Sequence, residues 1–139
     1  MDVAHVIQSS LAPVFLISGV GVMLGVLTNR LARITDRARE WEAEAEKEEH
    51  RAAELNERLQ VLARRARYIS SAITMCAISA LLMALVVVAL FANAFLAVNL
   101  SAVIAILFVA GMLTLTAVFV VFLIEVRIAT AAIRIGRPR

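Results

Sequence analysis

The chain has 139 residues, is 62% hydrophobic and carries a formal net charge of +3, whereas a soluble domain is nearer half apolar. Its charge is segregated: residues 3–29 hold no charged side chain apart from a protonatable His5, residues 68–124 hold none, and residues 30–67 hold ten basic and nine acidic groups. Apolar runs beyond about 18–20 residues read as membrane spans, which excludes a soluble globular domain, and the absence of a basic stripe interleaved with aromatics sets nucleic acid aside as a partner.

The first span is predicted over residues 6–28, within a segment 1–29. Its start, "MDVAHVIQSSLAPVF", has Asp2 where a signal peptide would carry positive charge, so an uncleaved anchor is expected. Arg30, Arg33, Arg37 and Arg39 follow the apolar run, and the positive-inside rule then puts the N-terminus outside. Pro13 is tolerable in such a helix because neighbours can satisfy the freed backbone. Gly21 and Gly25 are four apart on one face, a spacing that lets helix backbones approach closely. Ser18, Gly25 and Asn29 share a face as well, and are the candidate pore-lining residues of a conducting alternative.

Residues 30–67 form the second segment. Leu31, Ile34, Ala38, Trp41, Ala45, Glu48, Ala52, Leu55, Leu59, Leu62, Ala66 and Ile69 keep a 3-4 spacing throughout, the seam of a coiled coil. No Gly or Pro interrupts it, and Ala, Glu, Arg and Leu are strong helix formers. A single straight helix of this length would separate the flanking spans by about 57 Å. The expected solution is an antiparallel hairpin in the cytosol, turning near residues 46–50, with six glutamates of "EWEAEAEKEE" at its tip and arginines at both bases. That polarity keeps acid away from anionic lipid and basic residues against it.

The second and third spans, with a short basic tail, occupy residues 68–139. Ala72, Cys76, Ala80 and Ala84 recur every four residues and read as a packing stripe; the lone Cys76 is expected as a small buried apolar residue. Ser70, Ser71, Thr74 and Ser79 can bond carbonyls of their own helix. Asn93 and Asn99 flank a short outer connection, and the third span is predicted over residues 100–124. Arg127, Arg134, Arg137 and Arg139 follow it, so hairpin and C-terminus both face the cytosol.

No nucleophile–base pair, metal-ligand spacing or phosphate-binding loop stands in this pattern, so neither an enzyme nor a cofactor is expected. Glu125 is the strongest site candidate, since an ionisable group in a span is costly and commonly functional. Its face includes Gly111, Thr114, Val118 and Val121, with Gly111 as a further packing position. A helix from residue 100 to 125 rises about 37 Å against a hydrocarbon thickness near 30 Å. Glu125 is therefore expected at the inner interface, in a polar cluster with Asn29, Arg30, Arg33, Arg65, Arg67 and Arg127. An interfacial ion-pair anchor and an ion- or proton-handling site both remain open.

"HVIQSSLAPVFLISGVGVMLGVLTNRLARITDRAR", "RRARYISSAI" and "FLIEVRIATAAIR" together resemble a family of small bacterial membrane proteins known as domain of unknown function 2721. The carrying features are Asn29 with Arg30 closing the first span, Arg64, Arg65 and Arg67 at the hairpin base, and Glu125 with Arg127 near the end of the third. The resemblance implies a three-span protein of the bacterial inner membrane and supplies no activity. The expectation is an all-α fold of three transmembrane helices with a cytosolic coiled-coil hairpin between the first two. Such a protein would be non-enzymatic, self-associate in the lipid bilayer through its small-residue faces, and use the hairpin for assembly or a cytosolic protein partner. The alternative is a homo-oligomeric ion channel or small-solute conductor lined by the first helix.

Overall fold

The computed structural model describes residues 2–135, with side chains described through residue 131. Three long helices make up nearly all of it: α1, Val3–Lys47; α2, Ala52–Phe95; and α3, Ser101–Ile135. A three-residue 3-10 turn, Glu49–Arg51, joins α1 to α2. No strand occurs among the described residues. Arg137 and Arg139 of the basic tail lie outside the described residues, as does the side chain of Arg134.

α1 runs unbroken from an apolar half into a charged half, and α2 from a charged half into an apolar one. Pro13 sits inside α1, where it removes the donor that Ser9 O would otherwise receive. One turn earlier, Ser10 Oγ donates back to Val6 O at 2.7 Å and to Ile7 O at 3.0 Å. Beyond Thr28 no Gly or Pro occurs in α1, and the helix continues through the arginine-rich stretch to Lys47.

Buried positions in all three helices recur every seven residues. In α1 they are Val6, Pro13, Val20, Leu27 and Ile34; in α2, Leu55, Leu62, Ile69, Cys76 and Met83; in α3, Gly111, Val118 and Glu125. A straight helix drifts only about 20° per heptad from this repeat, so one narrow line of each helix stays covered along its length. Every residue of the seam expected between Leu31 and Ile69 is buried or half-buried.

By contact, the chain forms two units. One combines α1 through Gly25 with Thr74–Val118, and the other combines Val26–Ile73 with α3 from Phe119. In the first unit, Ser79 Oγ of α2 donates to Gly111 O of α3 at 3.1 Å, in a buried setting. Gly111 permits this approach: a Cβ there would collide with the Met83 methyl group and meet Leu82 Cβ at 3.5 Å. At the α2–α3 connection, Asn93 Oδ1 accepts the Leu100 N–H at 2.9 Å and Asn99 Oδ1 accepts the Ser101 N–H at 3.2 Å. Those donors stand at the start of α3, where a helix has no partners of its own. Ala97, between them, has φ of 52°.

In the second unit, the guanidinium of Arg58 lies 5.8 Å from the centre of the Trp41 ring. Ile34, Ala38 and Glu42 of α1 line a common recess with Asn56, Leu59, Leu62 and Ala66 of α2. Lower-numbered residues of α1 thus meet higher-numbered residues of α2.

All three helices are long and apolar enough to cross a membrane. Their outward faces are apolar too: Phe15 and Val22 are each 72% exposed, Ile106 68% and Leu113 66%. A helix that is hydrophobic on its exposed side as well as its packed side is suited to lipid, not to water.

Candidate functional site

The site begins with the period of α3. Gly111, Val118 and Glu125 stand at every second turn of the covered line, so the spacing that buries Val118 also carries the Glu125 carboxylate inside. A buried carboxylate is tolerated only when its charge is matched and its oxygens are bonded. Both conditions are met from the other two helices. Arg30 Nε of α1 donates to Glu125 Oε2 at 3.0 Å, and its Nη2 reaches the same oxygen. Arg65 Nε of α2 donates to Oε1 at 3.1 Å. The Glu125 side chain is 0% exposed, against 31% for Arg30 and 17% for Arg65.

One turn before Glu125, Phe122 presents its ring to Arg30, with the guanidinium carbon 5.5 Å from the ring centre. Arg30 is therefore held by a carboxylate and an aromatic face that both come from α3. A planar guanidinium does both with a fixed fork of donors, where a lysine would offer only a compact point charge.

Two guanidiniums on one carboxylate leave a positive excess, and further arginines add to it. Arg33 and Arg37 join Arg30 and Arg65 in lining a hollow of about 210 Å³, with Ile34 and Leu62 completing its wall. Positions 30, 33, 34 and 37 fall on one face of α1. Among the described residues, Arg33 and Arg37 have no carboxylate partner. With both oxygens engaged, Glu125 ties three helical segments together, while the surrounding field favours an anion.

Of the polar cluster expected from the sequence, the structure brings Arg30 and Arg65 onto Glu125 and sets Arg33 beside them. Asn29, Arg67 and Arg127 are exposed and make no bond to Glu125. Helix geometry accounts for this: two residues along a helix is about 200° of rotation, which turns Arg67 away from Arg65 and Arg127 away from Glu125. Two residues were not anticipated at the site. Arg37 is seven residues after Arg30 and so shares its face, and Phe122 is three before Glu125; these spacings are the signals that would have found them.

The packing stripes divide as well. Ala72 and Cys76 are fully buried and Ala80 half-buried, but Ala84 is exposed. A four-residue step overshoots a turn by about 40°, so three steps carry the stripe out of the contact. The covered line follows 3-4 spacing instead, through Ser79, Met83 and Val86. Gly111 is packed, whereas Gly21 and Gly25 are exposed and a Cβ at either would find nothing within 4 Å. Ser18, Gly25 and Asn29 are all exposed on α1, and Ser18 Oγ bonds Val14 O of its own helix at 3.3 Å.

Three long helices, each apolar enough to cross a membrane, are joined through a buried carboxylate and two arginines. Residues 10–135 match the family described as "Protein of unknown function (DUF2721)". The chain belongs to that family. Nothing among the curated proteins or the solved structures matches it.

Proposed function

We propose that the protein is a non-enzymatic scaffold of the bacterial inner membrane that self-associates through α1 and presents a cytosolic helical hairpin for assembly or partner binding. The observation that carries this reading is the glycine face of α1. Gly21 and Gly25 stand four apart on it, with nothing within 4 Å of a Cβ built on either. Gly111, by contrast, is packed against Met83. Small residues favour close helix approach in lipid, and among the described residues no atom lies within 4 Å of a Cβ built at Gly21 or Gly25. The Arg30–Glu125–Arg65 group fastens the base of residues 30–67. Above it, the half-buried seam and the Trp41–Arg58 contact support an antiparallel coiled coil with its acidic tip directed into the cytosol.

Native mass spectrometry and cross-linking in mild detergent test the reading. Oligomers are expected, and the paired substitution Gly21→Leu and Gly25→Leu should convert them to monomers without lowering the stability of the single chain. A wild-type protein that is wholly monomeric in detergent and in lipid nanodiscs would overturn self-association.

A second reading, a homo-oligomeric conductor lined by α1, is favoured by one observation: Ser18, Gly25 and Asn29 share an exposed face. Planar-bilayer recording decides between them. Silence at verified insertion removes the conductor and leaves the scaffold.

A further inference from the structure

We infer that the arginine hollow between α1 and α2 is a binding site for the phosphate group of an anionic glycerophospholipid. The inference rests on the membrane placement proposed above and not on self-association.

Charge supplies the first argument. Arg30, Arg33, Arg37 and Arg65 line one hollow of about 210 Å³, and Glu125 is the only carboxylate bonded to any of them among the described residues. Asp36 and Glu40 stand three residues after Arg33 and Arg37, about 60° round α1, and among the described residues neither is paired with an arginine of the hollow. Four guanidiniums against one carboxylate leave an uncompensated excess. Glu125 engages Nε and Nη2 of Arg30 and Nε of Arg65, so both arginines retain further N–H donors.

Shape and wall chemistry supply the second. Guanidinium presents paired N–H groups that match two phosphate oxygens, and several such forks around one hollow surround a tetrahedral anion. Ile34 and Leu62, exposed by only 5% and 4%, form an apolar wall that strengthens charge–charge attraction. The two arginines bonded to Glu125 are fixed in advance, which reduces the ordering cost of capturing a ligand.

Position supplies the third, and it selects the lipid. Arg30 is the first charge after the uncharged run of α1, and Glu125 the first after that of α3. The hollow therefore opens where apolar helix surface gives way to charge, the level of the headgroups. Exposed Val26 of α1 and exposed Leu123 and Ile124 of α3 stand within about a turn of Arg30 and Glu125 on the apolar side, where acyl chains would lie. A soluble phosphate compound shares the phosphate chemistry but has no use for that surface.

Full-length protein in mild detergent, titrated with phosphatidylglycerol or phosphatidylcholine and read by native mass spectrometry, tests the inference. Phosphatidylglycerol is expected to bind at about one per chain in preference to phosphatidylcholine. Arg33→Gln with Arg37→Gln should weaken that binding about tenfold or more, as expected for losing two charge-assisted contacts. Arg39→Gln with Arg64→Gln removes the same charge from exposed positions outside the hollow and should change binding by less than about threefold. Unchanged thermal unfolding confirms that both proteins are folded.

Equal losses in the two pairs would mean diffuse attraction and overturn the site, as would no loss in the first pair. Millimolar inorganic phosphate that displaces phosphatidylglycerol and binds unaided would overturn the lipid as occupant. Membrane placement is read separately: wild-type protein released from bacterial membranes by alkaline carbonate would undo the premise, whereas retained protein with no lipid preference defeats the inference alone. The oligomer distribution in the same spectra reports only on self-association.

Discussion

Arg30 and Glu125, 95 positions apart in sequence, meet through two hydrogen bonds to a single carboxylate oxygen, and the carboxylate has no exposure at all. Removing the acid leaves Arg30 and Arg65 facing one another without compensation. Glu125→Ala should destabilise the fold by about 3 kcal/mol or more, the cost of breaking a buried pair. Glu125→Gln, which keeps the shape and one acceptor oxygen, should cost less than alanine. Thermal unfolding in detergent ranks the two, and equal stability of wild type and Glu125→Ala would contradict the pairing.

Arg30 is also stacked on Phe122, so a lysine there keeps the charge but loses the fork and the stacking. Arg30→Lys is expected to lose about 1–2 kcal/mol. In a Phe122→Leu background its cost should shrink, because part of what lysine forfeits is already gone. A double-mutant cycle that comes out additive would show that the ring contributes nothing to holding Arg30.

Gly111 lets α2 and α3 come close enough for Ser79 to reach its carbonyl. An alanine Cβ meets the end of the flexible Met83 side chain, which can swing aside, so Gly111→Ala should cost about 1 kcal/mol. Gly111→Leu cannot be accommodated that way and should cost several times as much. Placing Gly111→Ala in a Met83→Ala background should relieve the alanine penalty, measured again by thermal unfolding.

Asn93 bridges from the last turns of α2 to the first donor of α3. Asn93→Ala should cost about 1 kcal/mol by leaving the Leu100 N–H without its partner. Amide exchange at residues 100 and 101 should accelerate while exchange in the middle of α2 stays unchanged.

Charge segregation and the 3-4 spacing made the helices, the turn near Lys47 and the burial of Leu55, Leu62 and Ile69 legible before any coordinates, because both are one-dimensional patterns. Arg30 and Arg65 could be put beside Glu125 because all three stand where uncharged runs end. Long-range partnering was not legible. Ser79 reads as a residue that bonds its own helix, yet it bonds Gly111, 32 positions away, since only packing decides which carbonyl a hydroxyl can reach. The exposure of Ala84, Arg67 and Arg127 was likewise hidden, because small rotational offsets accumulate along a helix and proximity in sequence ignores which way a side chain turns.

The order in which the chain is made gives the arginine pair a further meaning. Synthesis proceeds from the N-terminus, so Arg30 and Arg65 both exist while Glu125 is still to come. Until it arrives, the positions these side chains occupy in the finished protein bring two like charges together without their shared carboxylate. Closing that gap then falls to the last helix made: in a chain truncated before Phe119, cysteines placed beside Arg30 and Arg65 should be joined less efficiently by a short cross-linker than in the full chain.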